Sequence, residues 1–105
     1  MEAITEPVLL ILLSLATRPR HGYAILRDTE EISNGRVRLS TGTLYGALRR
    51  LLDEGWIERF EEEDTSRGKQ AYRLTSRGRR NLQMEVSRLK QLTRAAALRV
   101  ARKET

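Results

Sequence analysis

One stretch of the sequence, residues 40–55, has a helix start, a helix stop and two unlike faces. Ser40 or Thr41 can cap the N-terminus, because a hydroxyl at that position accepts hydrogen bonds from free backbone amides. Gly55 suits the position just after a helix, where φ is often positive. Leucines at spacings of four and three share one side of this helix, which predicts a buried face made of Leu44, Leu48 and Leu51.

The opposite face of this helix combines glycine with arginine. With its flanks it comprises Gly42, Tyr45, Gly46, Arg49, Arg50 and Asp53. Glycine inside a helix costs about 1 kcal/mol relative to alanine, so two glycines on one face indicate a surface that another molecule approaches closely. Hydroxyl and guanidinium donors beside it suit phosphates and base edges. The candidate DNA-binding residues here are Thr41, Thr43, Tyr45, Arg49 and Arg50. A plain solvated face with two loose glycines is the alternative.

The composition narrows the function classes. The chain has 105 residues, enough for one small domain, and 20 basic against 14 acidic side chains give it a net charge of +6. Such a balance favours a polyanionic partner, although a generally basic surface would look the same. There is no cysteine, and His21 is the only histidine in the sequence. We therefore expect no enzyme, no metal site and no cofactor, and a cytoplasmic location.

The first helix is predicted from about Thr5 to about Thr17, around the apolar run 8–16. This run is too short to span a membrane, and the acidic residues before it do not fit a signal peptide, so we expect no membrane association. A helix that is apolar nearly all round needs partners on more than one side. We expect one side to face the core and the other to form a dimer interface that includes Val8, Ile11 and Leu12. A central core helix in a monomer is the alternative.

A second helix is predicted from His21 to about Ser33, with His21 capping its start or bonding the backbone. Asn34-Gly35 is a turn signal, and residues 36–39 alternate apolar and basic, which predicts a short strand before the central helix.

After Gly55 the pattern has a period of two, and residues 56–60 and 69–74 predict the two strands of a hairpin. The basic loop between them holds Arg67 and Lys69, and its tip suits a minor groove, where negative potential attracts arginine. A solvated hairpin loop is the alternative.

A long last helix is predicted from Thr75, which caps it, to about Arg102. Apolar and small residues at alternating spacings of four and three form a seam that indicates helix pairing. The seam residues proposed for a dimer interface are Leu82, Val86, Leu89, Thr93 and Ala96. A helix folded across its own domain is the alternative.

The predicted order is helix, helix, short strand, helix, two-stranded hairpin and long helix. This is the order of a winged helix-turn-helix. We therefore predict a mainly α fold with a small β hairpin (α+β), in which residues 1–75 form a DNA-binding domain and residues 76–105 a dimerisation helix.

Several short motifs carry a family resemblance over nearly the whole chain. They are Leu12-Leu13-Ser14-Leu15, His21-Gly22-Tyr23, the run from Leu39 to Tyr45, Gly55-Trp56-Ile57, Arg67-Gly68-Lys69 and Leu74-Thr75. In this combination the chain resembles the PadR family of transcriptional regulators. Its short C-terminus resembles the small subfamily, which has a single dimerising helix.

The resemblance implies a homodimeric repressor that binds an inverted-repeat operator in double-stranded DNA and is released by a small-molecule effector. It implies that the central helix enters the major groove, and it assigns DNA contacts to Tyr23, Ser40, Thr43, Tyr45, Arg49, Arg67 and Lys69. Two features depart from the family: Gly46 stands where a proline is usual, and the last helix has no aromatic residue to hold a planar drug. A winged-helix module that binds protein or RNA without operator specificity is the alternative.

Overall fold

The computed structural model describes residues 4–61 and 70–102. These residues form four helices and three short strands: α1 (Glu6–Ala16), β1 (Arg20–His21), α2 (Gly22–Ile32), α3 (Thr41–Asp53), β2 (Ile57–Phe60), β3 (Ala71–Leu74) and α4 (Ser76–Ala101). The strands make an antiparallel sheet in the order β1-β3-β2. The predicted α+β winged-helix class is confirmed. None of the helices in the described ranges is long and apolar enough to cross a membrane.

Helices α1 and α3 begin directly after the capping residues that were expected from the sequence. Thr5 precedes α1, and its hydroxyl accepts from the amide of Val8 at 3.5 Å. Ser40 precedes α3, and its hydroxyl accepts from the amide of Thr43 at 3.1 Å. Gly55 follows the end of α3 with a φ of 74°, the left-handed conformation in which a glycine is favoured.

The strand predicted over residues 36–39 is wrong. The strand that joins the two hairpin strands in the sheet is β1. In it, Arg20 lies opposite Tyr72 and His21 opposite Ala71 of β3. The amide of Val37 instead donates a hydrogen bond to the hydroxyl of Ser33, just after α2, at 3.0 Å. A two-residue strand is too short to show any alternation of apolar and polar residues, so no sequence pattern marks it.

The core lies around α1, which packs against α2, β3 and α4. Its buried side chains are Val8, Ile11, Leu12, Leu15, Ile25, Leu44, Leu48, Leu51, Trp56, Ile57, Tyr72 and Leu82. This corrects four of the predicted dimer contacts. Val8, Ile11, Leu12 and Leu82 are inside the core of a single chain, because so small a domain needs the central helix to supply its apolar interior. Leu9 and Leu13 are the half-buried leucines of α1.

Thr75 joins the start of α4 to Gly55, the glycine that follows α3. Its hydroxyl accepts from the amide of Gly78 at 3.0 Å and donates to the carbonyl oxygen of Gly55 at 2.6 Å. Thr75→Ala is expected to lower the free energy of unfolding by about 1–2 kcal/mol, because it removes a helix cap and a second hydrogen bond. Urea unfolding measures this loss, with the exposed neighbour Ser76→Ala as control. Equal stability of the two variants would contradict it.

Candidate nucleic-acid interface

The predicted glycine-arginine face of α3 is exposed. Leu44, Leu48 and Leu51 hold the other side of the helix in the core, at no more than 1% exposure. A Cβ on Gly46 would meet no atom within 4 Å, and one on Gly42 would meet only the hydroxyl of Ser40, at 4.0 Å. In residues 4–61 and 70–102 nothing lies against the two glycines of this face, so another molecule can come close to the helix backbone there.

The two arginines of α3 are available as donors. Arg49 and Arg50 are exposed, and neither forms an ion pair with any acidic residue that the structure describes. Some arginines elsewhere do have close carboxylate partners: Arg36 lies 2.7 Å from Glu6, and Arg73 lies 2.7 Å from Glu58. Arginines without a carboxylate partner keep their guanidinium donors for phosphates or base edges.

The hydroxyl residues at the start of α3 differ in their availability. Ser40 accepts from the Thr43 amide and also donates to the Thr43 hydroxyl at 3.0 Å, so these two side chains bond to each other. Thr41 is exposed beside them. All three lie at the helix N-terminus, where the helix dipole favours a negative group.

Three tyrosines meet beside α3. Tyr23 and Tyr45 are exposed, by 69% and 51%, whereas Tyr72 of β3 is buried. They line one cavity of about 470 Å³ together with His21, Gly22, Ala24 and Gln70. Burial raises the pKa of Tyr72, the nearby Tyr45 phenol raises it further, and the positive charge of Arg59 lowers it. The structure thus brings Tyr23 and Tyr45, two predicted site residues from different helices, to a single surface.

Two basic residues near this surface were not singled out from the sequence. Arg59 of β2 lies opposite Tyr72 in the sheet register, and the strand pairing that places it there is not visible in the sequence. Arg27 lies with its guanidinium carbon 5.9 Å from the centroid of the Tyr23 ring. The separation of four residues from Tyr23 on one helix was the available signal for Arg27.

The remaining predicted site residues fall into two groups. Arg67 and Lys69, predicted for the hairpin tip, lie outside the described residues. On α4, Val86 and Leu89 are half-buried, and Thr93 and Ala96 are exposed. The second half of α4 also exposes Leu92, Leu98 and Val100, by 55%, 66% and 85%. Within the described ranges, no three histidines or carboxylates come together as a metal site would require.

A family model described as the transcriptional regulator PadR-like family matches residues 11–84 of the chain. The chain belongs to this family. It is also 38% identical over 85 residues to an uncharacterized 37.1 kDa protein in a transposon of Streptomyces fradiae. That match covers 81% of this chain and 23% of the relative, so the chain spans about a quarter of the length of that protein.

Solved structures of PadR proteins have the same fold. A PadR family regulator from Clostridium difficile matches with a TM-score of 0.77 and 21% identity, over 92% of this chain and all of that one. A PadR-like regulator from Bacillus cereus matches with a TM-score of 0.76 and 19% identity, over 90% and 91%. Bacillus subtilis PadR, solved in complex with operator DNA, matches with a TM-score of 0.65 and 26% identity, over 74% of this chain and 45% of that one.

Proposed function

We propose that this chain is a homodimeric transcriptional regulator that binds double-stranded DNA with the outer face of α3 in the major groove. The observation that carries the proposal is the exposed face on which Gly42 and Gly46 lie beside Arg49. This face has little side-chain bulk, and its guanidinium donors pair with no carboxylate in the described part of the chain, which suits the reading of a DNA groove. The net charge of +6 and the operator complex of Bacillus subtilis PadR support the proposal.

The proposed contacts divide into reading and positioning. Arg49 reads base edges, because it lies on the outer face of α3, whereas Arg50 lies on its flank and binds backbone phosphate. Tyr23, in the first turn of α2, and Tyr45, in the N-terminal half of α3, bind phosphates. Further contacts to the DNA backbone come from Ser40, Thr41 and Thr43 at the start of α3, and from Arg59 of β2. Arg67 and Lys69 extend this surface into the adjoining minor groove.

The homodimer is proposed to form through α4 with part of α1. The second half of α4 exposes large apolar side chains, and a second copy would remove them from water. On α4 the interface comprises Val86, Leu89, Thr93 and Ala96, extended by Leu92 and Leu98. On α1 it comprises Leu9 and Leu13, in place of the core residues Val8, Ile11 and Leu12. In this arrangement residues 1–75 bind DNA and residues 76–105 join the subunits, as in the small PadR subfamily.

For the regulatory role, the proposal is repression in the cytoplasm. The operator is an inverted repeat, because a symmetric dimer presents two copies of α3 related by a two-fold axis. The half-sites are then separated by about one helical turn of DNA or a multiple of it. A small-molecule effector that releases the operator is part of this proposal. No enzyme activity is proposed.

Salt dependence tests the mode of binding. Mobility-shift titrations at several salt concentrations are expected to give a log–log slope on the order of −6, since each neutralised phosphate contributes about −0.9. Two copies of Arg50, Arg67 and Lys69 supply about that many charged contacts to the DNA backbone. The same titrations with single strands and a structured RNA are the control. Affinity that does not change with salt, or that is equal for duplex and RNA, would contradict the proposal.

A further inference from the structure

Gly22 is the first residue of α2, and it is buried against the side chain of Tyr45 on α3. A Cβ at residue 22 would collide with the Tyr45 hydroxyl oxygen and would lie 3.0 Å from Cζ and 3.4 Å from Cε1 of the same ring. Among the glycines that the structure describes, Gly35 and Gly55 have a positive φ and Gly22 does not, so the backbone at residue 22 is one that other residues adopt. The reason for glycine at this position is therefore the close approach of the Tyr45 ring.

The rest of the Tyr45 side chain has open space around it. The residue is 51% exposed, and its ring borders the cavity of about 470 Å³ that Tyr23, Gln70 and Tyr72 also line. A displaced ring can swing toward this cavity by side-chain rotation, which leaves the backbone and the leucine core of α3 in place. A methyl group at residue 22 therefore moves Tyr45 and leaves the fold intact.

We propose that Gly22 is a positioning residue. Because it has no side chain, it leaves room for the Tyr45 phenol in the position from which α3 presents it to DNA. This inference rests on the proposed function and adds a link between two helices. Through Gly22, the first turn of α2 determines where the Tyr45 side chain of α3 points. Gly22 does not touch the DNA; its effect passes through Tyr45, whose hydroxyl end it allows to lie close to the start of α2.

A double-mutant cycle on duplex affinity tests the inference. Gly22→Ala is expected to weaken binding about five- to tenfold, the effect of losing one well-placed hydrogen bond. In a Tyr45→Ala background the same substitution is expected to change affinity less than about twofold, because no ring remains to be moved. In a Tyr45→Phe background the cost is also expected to be small, because the phenol oxygen that collides with the new Cβ and binds the phosphate is gone.

Nuclear magnetic resonance spectra of the free protein give a readout that does not depend on DNA. In Gly22→Ala the aromatic signals of Tyr45 are expected to shift, while the methyl signals of Leu44 and Leu48 in the core stay in place. Tyr45→Ala is expected to shift the Gly22 amide signal, because it removes the ring current of the adjacent aromatic.

The outcomes separate this inference from the proposed function. A wild-type chain that binds no duplex would overturn both. If the wild type binds duplex, an equal loss from Gly22→Ala with and without Tyr45 would overturn the inference alone, because Gly22 would then act directly on DNA. Unchanged affinity would also overturn it. So would a Gly22→Ala chain that unfolds, since the inference requires the tyrosine side chain to yield and not the backbone.

Discussion

Arg49→Ala is expected to lower the affinity for the preferred operator by about 1–3 kcal/mol and to relax the preference at the base pairs that Arg49 reads. Arg49 is exposed on the glycine-bearing face of α3 and has no acidic partner in the described chain, so its removal costs the fold little. The measurement is competition of operator against mutated duplexes in a mobility-shift assay. The loss is expected to be larger on the operator than on unrelated duplex.

Two comparison variants make this result specific. Arg36→Ala removes the same charge from a residue between α2 and α3 that already pairs with Glu6 at 2.7 Å, and it is expected to change affinity little. Arg67→Ala is expected to lower affinity on all sequences alike, because a phosphate or minor-groove contact carries little sequence information. An Arg49→Ala chain with unchanged affinity and unchanged preference would show that α3 is not the reading helix.

Gly78→Ala is expected to destabilise the fold by about 3 kcal/mol, the upper range for overpacking a buried position. Gly78 is in the first turn of α4, and a Cβ there would overlap the backbone carbonyl of Trp56. That carbonyl oxygen accepts a hydrogen bond from the amide of Thr75 at 3.0 Å, so it cannot turn away without loss. The backbone must shift, in contrast to the movable tyrosine side chain at Gly22.

Gly46→Ala is the matched control for Gly78→Ala, because its new Cβ meets nothing within 4 Å. It is expected to raise stability by up to about 1 kcal/mol through helix propensity alone. Thermal unfolding of both variants beside the wild type measures the difference. A Gly78→Ala chain as stable as Gly46→Ala would contradict the close approach of α4 to Trp56.

The sequence predicted the helices well because their signals are local. Thr5, Ser40 and Thr75 cap the helices that follow them, and Gly55 has the positive φ expected after α3. The leucine spacing on α3 predicted which side is buried, and hence which side is exposed. For that reason the glycine-arginine face could be identified before its structure was known.

The features that the sequence did not predict depend on contacts between distant residues. The β1 strand forms because Arg20 and His21 lie along the free edge of β3, and two residues carry no pattern of their own. The apolar run of α1 predicts burial without distinguishing core from interface, so Val8, Ile11 and Leu12 were misassigned. Arg59 joins the tyrosine surface through the pairing of β2 with β3, and the Gly22 contact with Tyr45 likewise requires two helices to be placed in space.

Selection from a random duplex pool, followed by sequencing of the bound molecules, tests the central claim most directly. We expect an inverted repeat to be enriched, with half-sites about one helical turn or more apart, and we expect Arg49→Ala to lose enrichment at particular positions of each half-site. A pool that stays random after repeated rounds, while the folded chain is present, would contradict the claim that α3 reads duplex DNA.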